Sequence, residues 1–148
     1  MIASVHAWKR FAWVLCLLVA AGCSRGGPVS NPDATEQRLA QIGNAYRNAT
    51  TRLGHPPKDF KELQPSLEGN PTEDFLRSPG DGEKFVVIWG VDYDRLPPSQ
   101  DDPYVVAAYE KKGVGGKRCV LRFPLGTMEM TEEQWKKVVF PPGYTPPP

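Results

Sequence analysis

The clearest periodic pattern in the chain is helical, with apolar side chains recurring at steps of three and four residues. It runs over about residues 34–53, and its apolar members are Leu39, Ile42, Tyr46, Ala49 and Leu53. Asp33 precedes this segment and Glu36 follows three positions later, which is the spacing of a capping box. Gly54 and the Pro56-Pro57 pair then end it. The pattern predicts one amphipathic helix from about residue 34 to residue 53.

Two shorter helical signals follow. Residues 58–63 predict a short helix with Phe60 and Leu63 facing the core. Residues 70–73, Asn-Pro-Thr-Glu, form a second capping signature and predict a further turn or two that ends near Arg77.

Beyond the turn residues at 78–82 the periodicity changes to that of strands. Residues 85–89, Phe-Val-Val-Ile-Trp, are a continuous apolar run, typical of a strand buried on both faces. Further strands are predicted at residues 104–109, 119–123 and, as a short fourth strand, 126–130, with a glycine-rich turn at 113–116.

A third capping box, at residues 131–134, predicts a last short helix with Trp135, Val138 and Val139 on its apolar side. Residues 143–148 are rich in proline and are expected to be extended and mobile. The order of elements predicts an α+β fold. We expect a long N-terminal helix packed on an antiparallel sheet of three or four strands, followed by a short C-terminal helix.

The N-terminal segment has the pattern of a secretory signal. Lys9 and Arg10 precede an apolar run at residues 11–22. As a helix this run spans about 18 Å, which is too short to cross a bilayer. Residues 20–23, Ala-Ala-Gly-Cys, resemble the bacterial lipobox, in which the cysteine takes a lipid, and Ala20 stands where leucine is usual. A plain cleaved signal is the alternative.

The lipobox interpretation divides the chain into four segments. We expect a signal peptide at residues 1–22, a lipidated Cys23 with a flexible tether to residue 33, one α+β domain at 34–140 and a Pro-rich tail at 141–148. Cys23 then anchors the protein to the membrane. Ser24, in place of an aspartate, suggests sorting to the outer membrane with the domain on its periplasmic face.

Charge and cysteine usage narrow the function classes. Without residues 1–22, 16 basic residues face 17 acidic ones, so no nucleic-acid partner is expected. Cys119 is then the only cysteine besides Cys23, which excludes an internal disulfide framework. His6 also lies within residues 1–22, so His55 is then the only histidine, which excludes zinc sites built from a histidine pair.

Several short motifs resemble the bacterial pseudopilin-like families of type II secretion and type IV pilin-like heads. These are residues 39–48, Leu-Ala-Gln-Ile-Gly-Asn-Ala-Tyr-Arg-Asn, the Pro56-Pro57 pair, residues 59–63, and 125–128, Leu-Gly-Thr-Met. The families carry a Leu-x-x-Ile-Gly-x-Ala helix, a Pro-Pro loop and a closing Asp-Gly-Ser/Thr strand, in which Leu125 replaces the aspartate here. The resemblance implies a pilin-head-like fold. Because a lipobox and a polar helix replace the polymerising apolar helix, filament formation is not expected.

The loop between the first two predicted strands carries four carboxylates, at Asp92, Asp94, Asp101 and Asp102. Calcium takes several oxygen ligands, and the major pseudopilin heads bind it in a loop of this region, so the resemblance implies a possible calcium site. Pro97-Pro98 suits an ordinary solvated connection equally well.

Other candidate groups have simpler interpretations. His55 could act as a base with Asp59 or Glu62, but no nucleophile motif accompanies it. The neighbouring cations could lower the pKa of Cys119, although its alternating strand favours a small core residue. We therefore expect no catalytic residues. The sequence predicts a non-catalytic envelope lipoprotein that binds or spaces an unknown envelope protein. A calcium-dependent binding protein or small hydrolase using the 92–102 loop is the alternative.

Overall fold

One long helix lies across a face of a four-stranded antiparallel sheet in the computed structural model. The structure describes residues 32–96, 104–124 and 126–147. The helix is α1 (Pro32–Leu53), and the strands in sheet order are β1 (Val86–Val87), β2 (Val105–Tyr109), β3 (Lys117–Phe123) and β4 (Gly126–Thr131). Single-turn helices α2 (Phe60–Leu63) and α3 (Glu132–Trp135) and 3-10 turns at Gln64–Ser66 and Glu73–Leu76 complete the described elements. The predicted α+β architecture is confirmed.

The apolar stripe of α1 is buried as its spacing predicts. Leu39, Ile42 and Ala49 have no exposed surface and pack in the apolar cluster between α1 and the sheet. The helix begins earlier than predicted, at Pro32, so Asp33 lies in its first turn rather than at the capping position. Proline is favoured in a first turn because the N–H that it lacks has no partner there in any case.

Local interactions determine the other helix ends, and two of the predictions made for them need correction. Gly54 ends α1 in a left-handed conformation, with φ of +75°, as predicted. α2 starts at Phe60 rather than at residue 58, because the Asp59 carboxylate caps it and accepts the Glu62 N–H at 3.0 Å. The turn predicted from residues 70–73 is a 3-10 turn, and Thr72 makes no side-chain capping bond to it.

Gly43 sets how closely α1 approaches the sheet. A Cβ atom at this position would lie 3.1 Å from both terminal carbons of Leu121 on β3. Contacts of that length are tighter than side chains normally make, so a larger residue would push the helix away from the strand. Ile42 is therefore buried between α1 and the sheet, and Gly43 lets the helix pack closely against β3.

β1 is shorter than the strand predicted at residues 85–89. Only Val86 and Val87 pair with β2, and the N–H of Ile88 adds one further bond to the carbonyl of Ala107, at 2.8 Å. The pairing of β2 with β3 carries an irregularity at the same place, between Val106 and Ala108. Such bulges increase the local twist of a strand and limit regular pairing.

A second apolar cluster covers the sheet face opposite α1. It consists of Ile88, Val106, Tyr109, Val120 and Met130, with Trp135, Val138, Phe140 and Tyr144 packed against it. The predicted capping box of α3 is present, since Thr131 and Gln134 exchange both bonds. The helix ends at Trp135, however. Val139, predicted to be helical, instead pairs in parallel with Val105.

The segment after residue 140 differs from the predicted mobile tail. Pro141 is buried, and the Tyr144 hydroxyl lies 3.0 Å from that of Tyr109 on β2. The Phe140 ring contacts both tyrosines, with its centroid 6.1 Å from that of Tyr109 and 5.5 Å from that of Tyr144. These rings cover apolar sheet surface that α1 does not reach, and that burial outweighs the extended preference of the proline-rich sequence.

Candidate functional site

The predicted anchor, Cys23, lies outside the described residues, so its lipidation stays a prediction. The first described element, α1, begins at Pro32. Within the described ranges, no helix is both long enough and apolar enough to cross a membrane.

The predicted calcium loop is described only in its first half. Asp92 forms an ion pair with Arg95 at 3.3 Å, and Asp94 is exposed. Asp101 and Asp102 lie outside the described residues. In the part of the chain that the structure covers, no three His, Cys, Asp or Glu side chains are grouped as metal ligands. The four-carboxylate calcium site therefore stays a prediction.

The described start of this loop is fixed to α1 by aromatic side chains. The Tyr46 hydroxyl donates to the carbonyl of Val91 at 3.1 Å and accepts its N–H at 3.0 Å. Tyr93 stacks on Phe123 of β3 with centroids 4.7 Å apart. The backbone next to Asp92 and Asp94 is therefore held by contacts to α1 and β3.

The two acids predicted as partners of His55, Asp59 and Glu62, accept hydrogen bonds from backbone N–H groups instead. His55 is exposed, with its Nδ1 atom 2.9 Å from the carbonyl oxygen of Pro56. Asp59 caps α2, and Glu62 accepts the backbone N–H of Lys58 at 2.9 Å. The arrangement fits a loop histidine after a helix cap better than an assembled general base.

Cys119 is a core residue, as its position in an alternating strand predicts. It is only 2% exposed, and burial, followed by the nearby Glu110 carboxylate, raises the pKa of its thiol to about 12. The effect of the neighbouring cations, considered from sequence, is therefore overridden. A thiol with a pKa this high is not a reactive nucleophile at neutral pH.

A buried carboxylate, Glu110, is the feature that the sequence pattern does not indicate. It follows β2 and is 3% exposed. The Ser78 hydroxyl donates to its Oε1 at 2.5 Å, and the N–H of Cys119 donates to its Oε2 at 2.8 Å. A Cβ on Gly80 would lie 2.5 Å from the same Oε1, so the glycine makes room for the carboxylate.

The Ser78–Glu110 pair has the chemistry of a hydroxyl beside a base, but its geometry is structural. Ser78 is 2% exposed, and its oxygen also accepts the N–H of Gly80 at 2.9 Å. A nucleophile must reach its substrate, and this hydroxyl is enclosed. We conclude that the pair ties the turn at residues 78–82 to the end of β2.

The buried thiol and phenols predict loss of stability at alkaline pH. Burial raises the pKa of Tyr46 to about 12 and also raises the pKa values of Tyr93 and Tyr109. The stabilisation is complete below the unfolded values, about 8.5 for cysteine and 10 for tyrosine, and is lost as pH rises through the folded ones. We expect the unfolding temperature to be level near pH 8 and to fall steadily above pH 9. Cys119→Ala should delay the onset of that fall, and a flat profile to pH 11 for the wild-type chain would contradict this assignment.

A polar groove lies beside α1 and holds about 320 Å³. One wall carries Gln41, Asn44 and Asn48, and the other carries Ser66, Glu68 and Phe75. We call this feature the α1 groove. The sequence pattern identified its helical wall only as the solvent face of α1, because the opposite wall lies more than 15 residues further along the chain.

Comparison with protein-family models, with curated proteins and with solved structures finds no match for this chain. Of the described features, the Ser78–Glu110 pair is enclosed and the calcium loop is described in part. The α1 groove is open to solvent.

Proposed function

We propose that this protein is a lipid-anchored component of the bacterial cell envelope, and that its domain binds or spaces other envelope components without catalysing a reaction. The observation that carries the proposal is the Ala-Ala-Gly-Cys sequence at residues 20–23, placed after a short apolar run. The start of α1 at Pro32 supports it, because the eight residues 24–31 separate the cysteine from the first described element. Ser24 favours the periplasmic face of an outer membrane.

The proposal includes a relationship to the heads of pseudopilin-like proteins. The Leu-x-x-Ile-Gly-x-Ala motif supports it, and in this chain the motif lies on the buried face of α1, where Ile42 and Gly43 meet the sheet. The opposite face of α1 exposes Gln41, Asn44 and Arg47. No second apolar face is then left on α1 to join a filament, so we propose a domain that does not polymerise.

The described chemistry supports a role in binding rather than catalysis. Ser78 and Cys119 are buried, and the raised pKa of the thiol disfavours the thiolate. His55 is exposed, and its two predicted partners bond to backbone N–H groups instead, Asp59 to that of Glu62 and Glu62 to that of Lys58. Each of these groups has a structural explanation, and none faces the α1 groove.

Substitution of the anchor tests the proposal. Cys23→Ser should move the protein from the membrane fraction to the soluble fraction, because lipid chains contribute about 0.8 kcal/mol per buried CH₂ group and two or more chains anchor stably. Cys16→Ala is the matched control, since Cys16 lies within the predicted signal, and this variant should stay in the membrane fraction. A Cys23→Ser protein that still fractionates wholly with membranes would refute the lipid anchor.

A further inference from the structure

The α1 groove has a regular row of amide side chains along one wall. Gln41, Asn44 and Asn48 are spaced by three and four residues, so they follow one side of α1 for two turns. All three are exposed. The opposite wall comes from the segment after α2 and offers a hydroxyl at Ser66 and a carboxylate at Glu68.

The three amides are available for a ligand. Across the described residues, none of them makes a hydrogen bond to the protein, whereas other polar side chains of α1 do. Thr50 donates to the carbonyl of Tyr46 at 2.9 Å, and Arg52 donates to that of Glu62 at 2.7 Å. Each amide offers two N–H donors and one carbonyl acceptor, so the row presents both donors and acceptors to a ligand.

The walls of the groove are held in place before any ligand binds. Arg38 of α1 donates to the carbonyls of Phe75 and Arg77, both at 3.3 Å, and its guanidinium lies 4.9 Å from the Phe75 ring centroid. Towards the C-terminal end of α1, Arg52 donates to the carbonyl of Glu62. The Gln64 side-chain amide donates to the carbonyl of Pro71 at 2.9 Å. A preformed site loses less conformational entropy on binding.

The chemistry of the lining selects a neutral ligand rich in hydroxyl and amide groups. Among the described lining residues only Glu68 is charged, which disfavours phosphates and other anions. Amide and carboxylate side chains hydrogen-bond readily to hydroxyl and acetamido groups, and the half-buried Phe75, which has Arg38 over its ring, adds apolar surface to the lining. The volume of about 320 Å³ is at the lower end of small-molecule sites, which run from roughly 300 to 1,000 Å³.

We propose that the α1 groove binds a neutral oligosaccharide, with Gln41, Asn44 and Asn48 hydrogen-bonding its hydroxyl and acetamido groups and Phe75 lying against a sugar ring. This inference rests on the proposed binding role and names the class of envelope component that the domain would hold. An extended peptide could also pair with an amide row. The carboxylate and aromatic group on the facing wall favour the saccharide, so the peptide is the competing outcome of the test.

A titration of the full chain in detergent micelles tests this inference. The probes are tetra-N-acetylchitotetraose, cellotetraose and a neutral tetrapeptide, and the readouts are calorimetry and the side-chain amide NMR signals of Gln41, Asn44 and Asn48. We expect saturable shifts of these three signals with one or both saccharides and none with the peptide. Asn48→Ala should weaken saccharide binding about tenfold.

Gln37→Ala is the matched control, because Gln37 is an exposed amide on the same helix but does not line the groove. It should bind as the wild type does, and both variants should unfold at the wild-type temperature. Peptide binding without saccharide binding, no binding at millimolar saccharide, or unchanged affinity in Asn48→Ala would each overturn the inference. Saccharide binding does not require the lipid, so this test and the fractionation of Cys23→Ser can fail separately.

Discussion

Ile42→Asp should unfold the domain at temperatures at which the wild-type chain is fully folded. Ile42 has no exposed surface and packs in the cluster between α1 and the sheet. A carboxylate there would be buried without a partner, which costs about 3–5 kcal/mol. That is comparable to the whole stability of a typical domain, about 5–15 kcal/mol. Circular dichroism during thermal unfolding measures the effect.

Gln41→Asp is the control for the helix face, because its position is adjacent in sequence but exposed. It should change the free energy of unfolding by less than about 0.5 kcal/mol. If the two variants unfolded at the same temperature, the assignment of the buried face of α1 would be wrong.

Glu110→Ala should cost about 3 kcal/mol of stability, because it leaves two buried donors without acceptors. These donors are the Ser78 hydroxyl and the N–H of Cys119, which now bond to the two carboxylate oxygens. The free energy of unfolding of Glu110→Gln should lie between those of Glu110→Ala and the wild type, because an amide offers only one acceptor oxygen. Denaturant unfolding at neutral pH gives the three free energies.

Glu73→Ala is the matched surface control. Glu73 pairs with Lys84 at 3.1 Å, but its side chain is 61% exposed, and exposed pairs contribute at most about 1 kcal/mol. Equal losses for Glu73→Ala and Glu110→Ala would mean that the buried carboxylate does not hold the turn at residues 78–82 to β2.

The sequence predicts well the features that depend on interactions between residues close together in the chain. The stripe of α1 from Leu39 to Ala49 follows from the helical repeat, and the Thr131–Gln134 capping box closes between neighbours in sequence. Strand positions also follow from local apolar runs. Strand lengths do not, because an apolar run at residues 85–89 does not reveal where its partner carries a bulge.

The features that sequence analysis misses depend on distant partners. Glu110 is buried because it meets Ser78, 32 residues earlier in the chain. Tyr144 packs because its hydroxyl reaches Tyr109, although its proline-rich surroundings indicate a free tail. Gln41, Asn44 and Asn48 have the pattern of ordinary surface residues in the sequence, and they line a groove only because the segment carrying Glu68 lies opposite them in the fold. In each case the deciding interaction spans elements that no local pattern connects.

The intact mass of the protein extracted from membranes tests the lipid-anchor proposal most directly. We expect a chain that begins at Cys23 and carries a mass increment for its lipid, with the increment confined to the N-terminal peptide after proteolysis. A membrane-extracted chain that keeps residues 1–22, or one that begins at an unmodified Cys23, would contradict the proposal.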